Sequence, residues 1–143
     1  MNSAQVLDVR GGATIRQIRA MAGRAMLDGP HDYTTSELEG PLLDLAVANA
    51  CGIDAVIHLV DNAIEPFYEC CVLSDGRLHY QFLPSRLWSQ GGPLVEEHHI
   101  SLTELGGRWT AVLPGRILGE ASTPLTAAMR AFVLSRKGPI VRM

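Results

Sequence analysis

Residues 67–83 read Phe-Tyr-Glu-Cys-Cys-Val-Leu-Ser-Asp-Gly-Arg-Leu-His-Tyr-Gln-Phe-Leu. Two apolar runs flank Ser74-Asp75-Gly76. Asp-Gly between such runs signals a β-hairpin, because both positions of the tight turn need a positive φ that these residues tolerate. With Asp75-Gly76 as the loop, strict alternation sets Leu73 opposite Leu78, Cys71 opposite Tyr80 and Glu69 opposite Phe82. That set is expected to face the core. Val72 with His79 and Cys70 with Gln81 then take the other face.

Upstream, residues 54–60 are rich in β-branched side chains and predict a further strand. Before them comes Pro-Leu-Leu-Asp-Leu-Ala-Val-Ala-Asn-Ala-Cys, residues 41–51. Pro41 suits a first helical turn, where its missing N–H costs nothing. The run is apolar over most of a helical circumference, which predicts a buried helix. Gly52 supplies a left-handed end. His31 to Thr35 is compatible with a short strand. Earlier still, Thr14 and Gln17 form a capping box, and Ile15, Ile18, Ala22 and Ala25 or Met26 share one helical stripe. Gly29-Pro30 ends that helix.

Downstream, Pro84 ends the hairpin strand. Arg86 to Gln90 can make one helical turn, and Gly91-Gly92-Pro93 predicts a tight reversal. Leu94 to Leu102 reads equally as helix or strand, and Arg108 to Leu113 as a strand. The last helix has Thr123 as its cap, Pro124 in its first turn, and Leu125, Ala128, Met129, Phe132 and Val133 on one stripe. Arg136 and Lys137 complement its negative end before Gly138-Pro139. Helices towards both ends with strands between them predict an α+β fold: an antiparallel sheet of about four strands with helices packed on one side. Residues 1–30 are read as an N-terminal extension with an amphipathic helix, and 31–143 as a single domain.

Composition narrows the function classes. Of 143 residues, 47% are hydrophobic and 19% charged, enough to bury a core. The net charge of -3 argues against a polyanion binder. Arg10, Arg16, Arg19 and Arg24 against Asp8 and Asp28 give the first 30 residues a local excess of positive charge. No stretch approaches the roughly 18 apolar residues of a membrane span, and no secretion signal is expected. Cys51, Cys70 and Cys71 make a poor disulfide framework and read as reduced thiols.

The chemistry-bearing residues do not converge on a reaction. Gly11-Gly12, Gly91-Gly92 and Gly106-Gly107 extend to no phosphate-cradling loop. His98-His99 follow Glu96-Glu97, and adjacent side chains point apart on a helix or a strand. No zinc spacing is present, and no metal, cofactor or catalytic residue is assigned. Ser89 lacks the glycine-flanked elbow of a nucleophile. Trp88 and Trp109 stand out as large side chains of the kind found at interfaces. Core packing is the plainer role for both. The alternative is that Arg86, Trp88 and Gln90 rim a groove at which Gly91 and Gly92 expose backbone to a partner.

Three blocks carry a family resemblance. They are Glu37-Leu38-Glu39-Gly40-Pro41-Leu42-Leu43-Asp44-Leu45-Ala46-Val47-Ala48 through Gly52; Pro84-Ser85 through Trp88-Ser89-Gln90-Gly91-Gly92-Pro93-Leu94-Val95-Glu96; and Thr123-Pro124-Leu125-Thr126-Ala127-Ala128-Met129-Arg130-Ala131-Phe132-Val133. In order and spacing the chain resembles the phage NinX-like family over roughly residues 34–138. Leu45 stands where that family usually has Trp, and Leu87 where an Asp is common. The resemblance implies a phage or prophage accessory protein of unknown activity, in the cytoplasm of a bacterial host. Binding of a phage or host protein through Arg86, Trp88, Gln90, Gly91 and Gly92 is the expected role, with self-association left open. One alternative is a small-molecule enzyme with a pocket near the 67–83 hairpin, using His79, Cys70 or Glu96. The other is nucleic-acid binding by the arginine-bearing face of residues 10–24.

Overall fold

The computed structural model describes residues 31–61 and 64–143. The helix expected from Thr14, and the arginine-bearing face of residues 10–24, lie outside them.

The elements follow the order β1 (Asp32–Thr34), a 3-10 turn (Thr35–Glu37), α1 (Gly40–Ala50), β2 (Ala55–Val60), β3 (Phe67–Ser74), β4 (Arg77–Gln81), α2 (Trp88–Glu97), β5 (Ser101–Leu105), β6 (Arg108–Leu113), β7 (Ile117–Ala121), α3 (Pro124–Lys137) and β8 (Ile140–Arg142). The fold is α+β with antiparallel pairing throughout. The strands are not gathered into one sheet of about four. They divide into β2-β3-β4, β5-β6-β7 and the pair β1-β8. Helix α1 packs on β2 and β3, α3 packs on β6 and β7, and α1 lies against α3, so the helix pair joins the two larger sheets. This arrangement explains why Leu42, Leu43, Ala46, Val47 and Ala48 are all buried around α1. Leu125, Ala128, Met129, Phe132 and Val133 of α3 are buried as their spacing predicts. Gly119 on β7 lets α3 come close: a Cβ there would lie 2.3 Å from the Ala127 carbonyl oxygen.

The central hairpin turns at Asp75-Gly76, with φ of 54° and 75°. Its register departs from simple alternation. A bulge between Val72 and Leu73 pairs Val72 with Tyr80 and Cys71 with Gln81, so Cys71 does not face Tyr80. The extra residue is His79 on β4, since Leu73 to Val72 is one step and Leu78 to Tyr80 is two, so the later residues of β4 pair one position out of the simple alternation. The core side of β3 is Tyr68, Cys70 and Val72, while Leu78 and Tyr80, the latter opposite Val72, are each 46% exposed. Glu69 and Cys71 are buried on the other face, where Glu69 accepts a hydrogen bond from Gln81 Nε2.

The expected reversal at Gly91-Gly92-Pro93 is instead the interior of α2. Two features hold it there, against the hydrogen bond that Pro93 removes. Backbone N–H groups of Gln90 and Gly91 both bond to the Leu87 carbonyl. Gly91 is buried, and a Cβ on it would lie 2.2 Å from the Pro84 carbonyl oxygen and 2.8 Å from Leu125 Cδ2. The missing side chain serves close packing rather than chain reversal.

Candidate functional site

The first turns of α1 and α3, the Pro84–Arg86 segment that leads into α2, and the neighbouring strands β6 and β7 enclose a cavity of about 620 Å³. Each contributes for a local reason. Gly40 opens α1 and Pro41 follows it, while Thr123 caps α3 and Pro124 begins it. Both helices thus point their positive ends at the same space. The Ser85 amide donates to Asp44 Oδ1 at 2.9 Å, which ties the loop to the buried flank of α1. This bond places Ser85 and Arg86 on the wall.

Three arginines line the cavity against one acid, Glu39. They are not equivalent. Arg130 is a structural cross-link: its Nε donates to the Leu38 carbonyl and its Nη1 to the Glu120 carbonyl, both at 2.7 Å. Its Nη2 also lies 4.0 Å from Glu39 Oε2. Burial lowers its pKa, and Glu39 opposes that shift. Arg108 is exposed and 3.9 Å from Glu120, a pair of little strength in water. Arg86 is exposed, and its side chain has no hydrogen bond or ion pair among the described residues. Trp88 stands beside it at 53% exposure and is the one aromatic residue on the lining. Trp109, in contrast, packs against the core.

Beneath this wall sits a buried acid. Asp44 is 1% exposed, and burial raises its pKa to about 7. The Ser85 hydroxyl and amide and the charge on Arg86 each pull the other way. Although the Ser85 hydroxyl is near enough to favour the carboxylate, neither Ser85 Oγ nor Asp44 Oδ2 completes a hydrogen bond.

Of the residues expected to meet a partner, Arg86 and Trp88 line the cavity, and Gln90, Gly91 and Gly92 do not. Gln90 is occupied. Its Oε1 accepts from the Leu83 N–H, and its Nε2 donates to the Gln81 carbonyl at 2.7 Å, so the side chain satisfies the strand exit. Gly91 is buried, and Gly92 has Trp88 Cε3 3.7 Å from where its Cβ would be. Neither glycine opens its backbone to a ligand. Glu39 and Arg108 join the site from separate stretches that only the fold assembles, Arg130 joins it from the Thr123–Val133 block, and Ser85 joins it from the position before Arg86. The Thr-Pro pair at the start of α3 was the one local hint of a helix end free to face a ligand.

The alternative set of His79, Cys70 and Glu96 is not assembled. Cys70 is fully buried in the core, and burial pushes its thiol far above the usual range, whereas His79 and Glu96 are exposed. The cavity borders no residue of the 67–83 hairpin. His98 is engaged with Glu97 at 3.1 Å and with the Phe132 ring. Among the described residues no three His, Cys, Asp or Glu side chains are placed to hold a metal ion.

The family described as bacteriophage P22 NinX matches residues 34–136, a stretch that contains every residue lining the cavity. No curated protein matches the chain.

Proposed function

The chain belongs to the bacteriophage P22 NinX family, and from that premise we propose a non-catalytic phage accessory protein that binds an acidic segment of a partner protein in the Arg86–Trp88 groove. The observation that carries this reading is the unpaired Arg86 beside a half-exposed Trp88, at the mouth of a cavity where cations outnumber acids. This local sign is opposite to the net charge of -3 of the whole chain. Arg and Trp are the side chains most often found to dominate binding energy at interfaces. Sites for small apolar ligands are lined mainly by hydrophobic and aromatic groups. Here arginine, serine, threonine and glutamate share the wall with Trp88, Ala121, Pro124 and Leu125, a mixed lining that suits a charged, extended chain. Among the described residues no helix is long and apolar enough to cross a membrane, and the bacterial cytoplasm is the proposed setting.

Calorimetry with an acidic peptide and its lysine-substituted counterpart tests the reading. The acidic peptide is expected to bind, with affinity falling as salt rises. Arg86→Glu and Trp88→Ala are each expected to weaken it by roughly tenfold or more without lowering the melting temperature, since both side chains are exposed. Equal binding of the two peptides, or unchanged affinity in both variants, would overturn it.

A further inference from the structure

We propose that the open edge of β7 takes up the partner's acidic segment as an added strand, with one apolar side chain of that segment seated between Leu118 and Leu134. The inference rests on the groove reading above, and names how the ligand is held and what adjoins its acidic run.

Strand β7 ends the order β5-β6-β7 and, among the described residues, pairs with β6 alone. In an antiparallel ladder, alternate residues of such an edge strand turn both backbone groups away from their neighbour. Glu120 is one of these: its carbonyl accepts from Arg130 Nη1, on the helix that packs on β7. Leu118, two residues earlier, is the next. Among the described residues no backbone group beyond β6 bonds to either of them, which leaves the Leu118 N–H, the Leu118 carbonyl and the Glu120 N–H for another chain. Helix α3 covers the face of β7 and not its edge, since Gly119 lies under Ala127 and Ala131. A strand edge in this state is a template for pairing.

The space beside this edge and its charge select the occupant. A second cavity of about 320 Å³ is lined by Leu118, Gly119 and Glu120 together with Thr35, Ser36 and Leu134. It shares Arg108 and Arg130 with the Arg86–Trp88 cavity, whose lining includes Ala121 and Ser122 at the end of the same strand. The two cavities therefore follow one line of backbone from Leu118 to Ser122, past the Arg108 guanidinium. An extended chain matches that line, and a compact ligand does not. The Arg108 contact with Glu120 is exposed and 3.9 Å long, so a carboxylate of the partner can take the guanidinium over. Away from Arg86 the lining turns apolar, with Leu118 50% exposed and Leu134 half-buried. Covering Leu118 with an apolar side chain removes its surface from water. Main-chain hydrogen bonds would hold the added strand, and the leucine pair would select its sequence.

The test uses the full chain and acidic peptides that carry leucine at one end, made in both chain directions, each with an alanine counterpart. Amide hydrogen exchange is followed by NMR. At saturation the Leu118 and Glu120 amides are expected to exchange at least about tenfold more slowly, while the Gly119 amide, which faces β6, is unmoved. One of the two leucine peptides is expected to bind about tenfold more tightly than its alanine counterpart, and Leu118→Ser to remove that preference while the half-exposed site stays folded. Unchanged exchange at Leu118, or a leucine preference that is absent or survives Leu118→Ser, would overturn the added strand. Slowing at Leu118 that grows with protein concentration and needs no peptide would give the edge to a second copy of the chain, and would overturn it equally. In either case, if the acidic peptide still binds through Arg86 and Trp88, the groove reading stands and the added strand alone fails. If no acidic peptide binds, both fail.

Discussion

Gly91→Ala is expected to destabilise the fold by about 2–4 kcal/mol, while Gly92→Ala, one residue on, is expected to be neutral or to stabilise by up to about 1 kcal/mol. In an exposed helix both changes would help, since glycine costs roughly 0.5–1 kcal/mol relative to alanine. Position 91 reverses the sign because its Cβ would meet the Pro84 carbonyl oxygen at 2.2 Å. That atom is backbone and cannot rotate away. Leu125 Cδ2, at 2.8 Å, lies on the opposing helix and is itself buried. The strain would therefore fall on the Pro84–Ser85 turn, so the Arg86–Trp88 wall should shift as well. At position 92 the nearest atom is Trp88 Cε3 at 3.7 Å, an ordinary contact. Urea denaturation of the two variants checks the pair. A Gly91→Ala protein as stable as the wild type would show that α2 does not approach Pro84 this closely.

The same two glycines show where sequence reasoning stops. Gly-Gly-Pro is locally a turn signal, and nothing within residues 84–97 states that Gly91 must lie under Pro84 and Leu125. Tertiary contact overrode local preference there. Helices α1 and α3 were legible because Pro41 and Gly52, and Thr123, Pro124 and Gly138, mark ends that physical chemistry makes costly for most other residues. Asp75-Gly76 was legible for the same reason, since both residues have positive φ. The register beyond it was not, because the bulge at Val72 and Leu73 leaves no mark in the alternation of residues 70–82. Strands β7 and β8 were not anticipated; they are short, with 5 and 3 residues. Only part of the site could be read. Arg86 and Trp88 lie close together in sequence and were picked for their chemistry, whereas Glu39, Arg108 and the head of α3 reach the cavity only through the packing of α1 against α3.

Asp44 should make the protein less stable as pH rises, and Asp44→Asn should remove that dependence. In the unfolded chain the carboxyl titrates near its ordinary value of about 3.9. In the fold, burial raises it to about 7, against the opposing pull of Ser85 and Arg86. Between those values the folded chain holds a proton that the unfolded chain has released. Stability from this group is thus complete below about pH 4 and is lost progressively as pH rises through about 7. Roughly three pH units at 1.36 kcal/mol each sets the scale at about 4 kcal/mol. Asparagine keeps a carbonyl oxygen for the Ser85 amide and cannot ionise. Thermal unfolding should accordingly find Asp44→Asn close to the wild type near pH 4 and more stable by several degrees at pH 8. A wild type at least as stable as the variant at pH 8 would refute the assignment. Binding then separates two roles for the carboxylate. At pH 8 its negative charge lies next to Arg86 and fixes the Ser85 amide, so a variant that gains stability but holds the acidic peptide less tightly would show that the charge serves the groove at the expense of the fold.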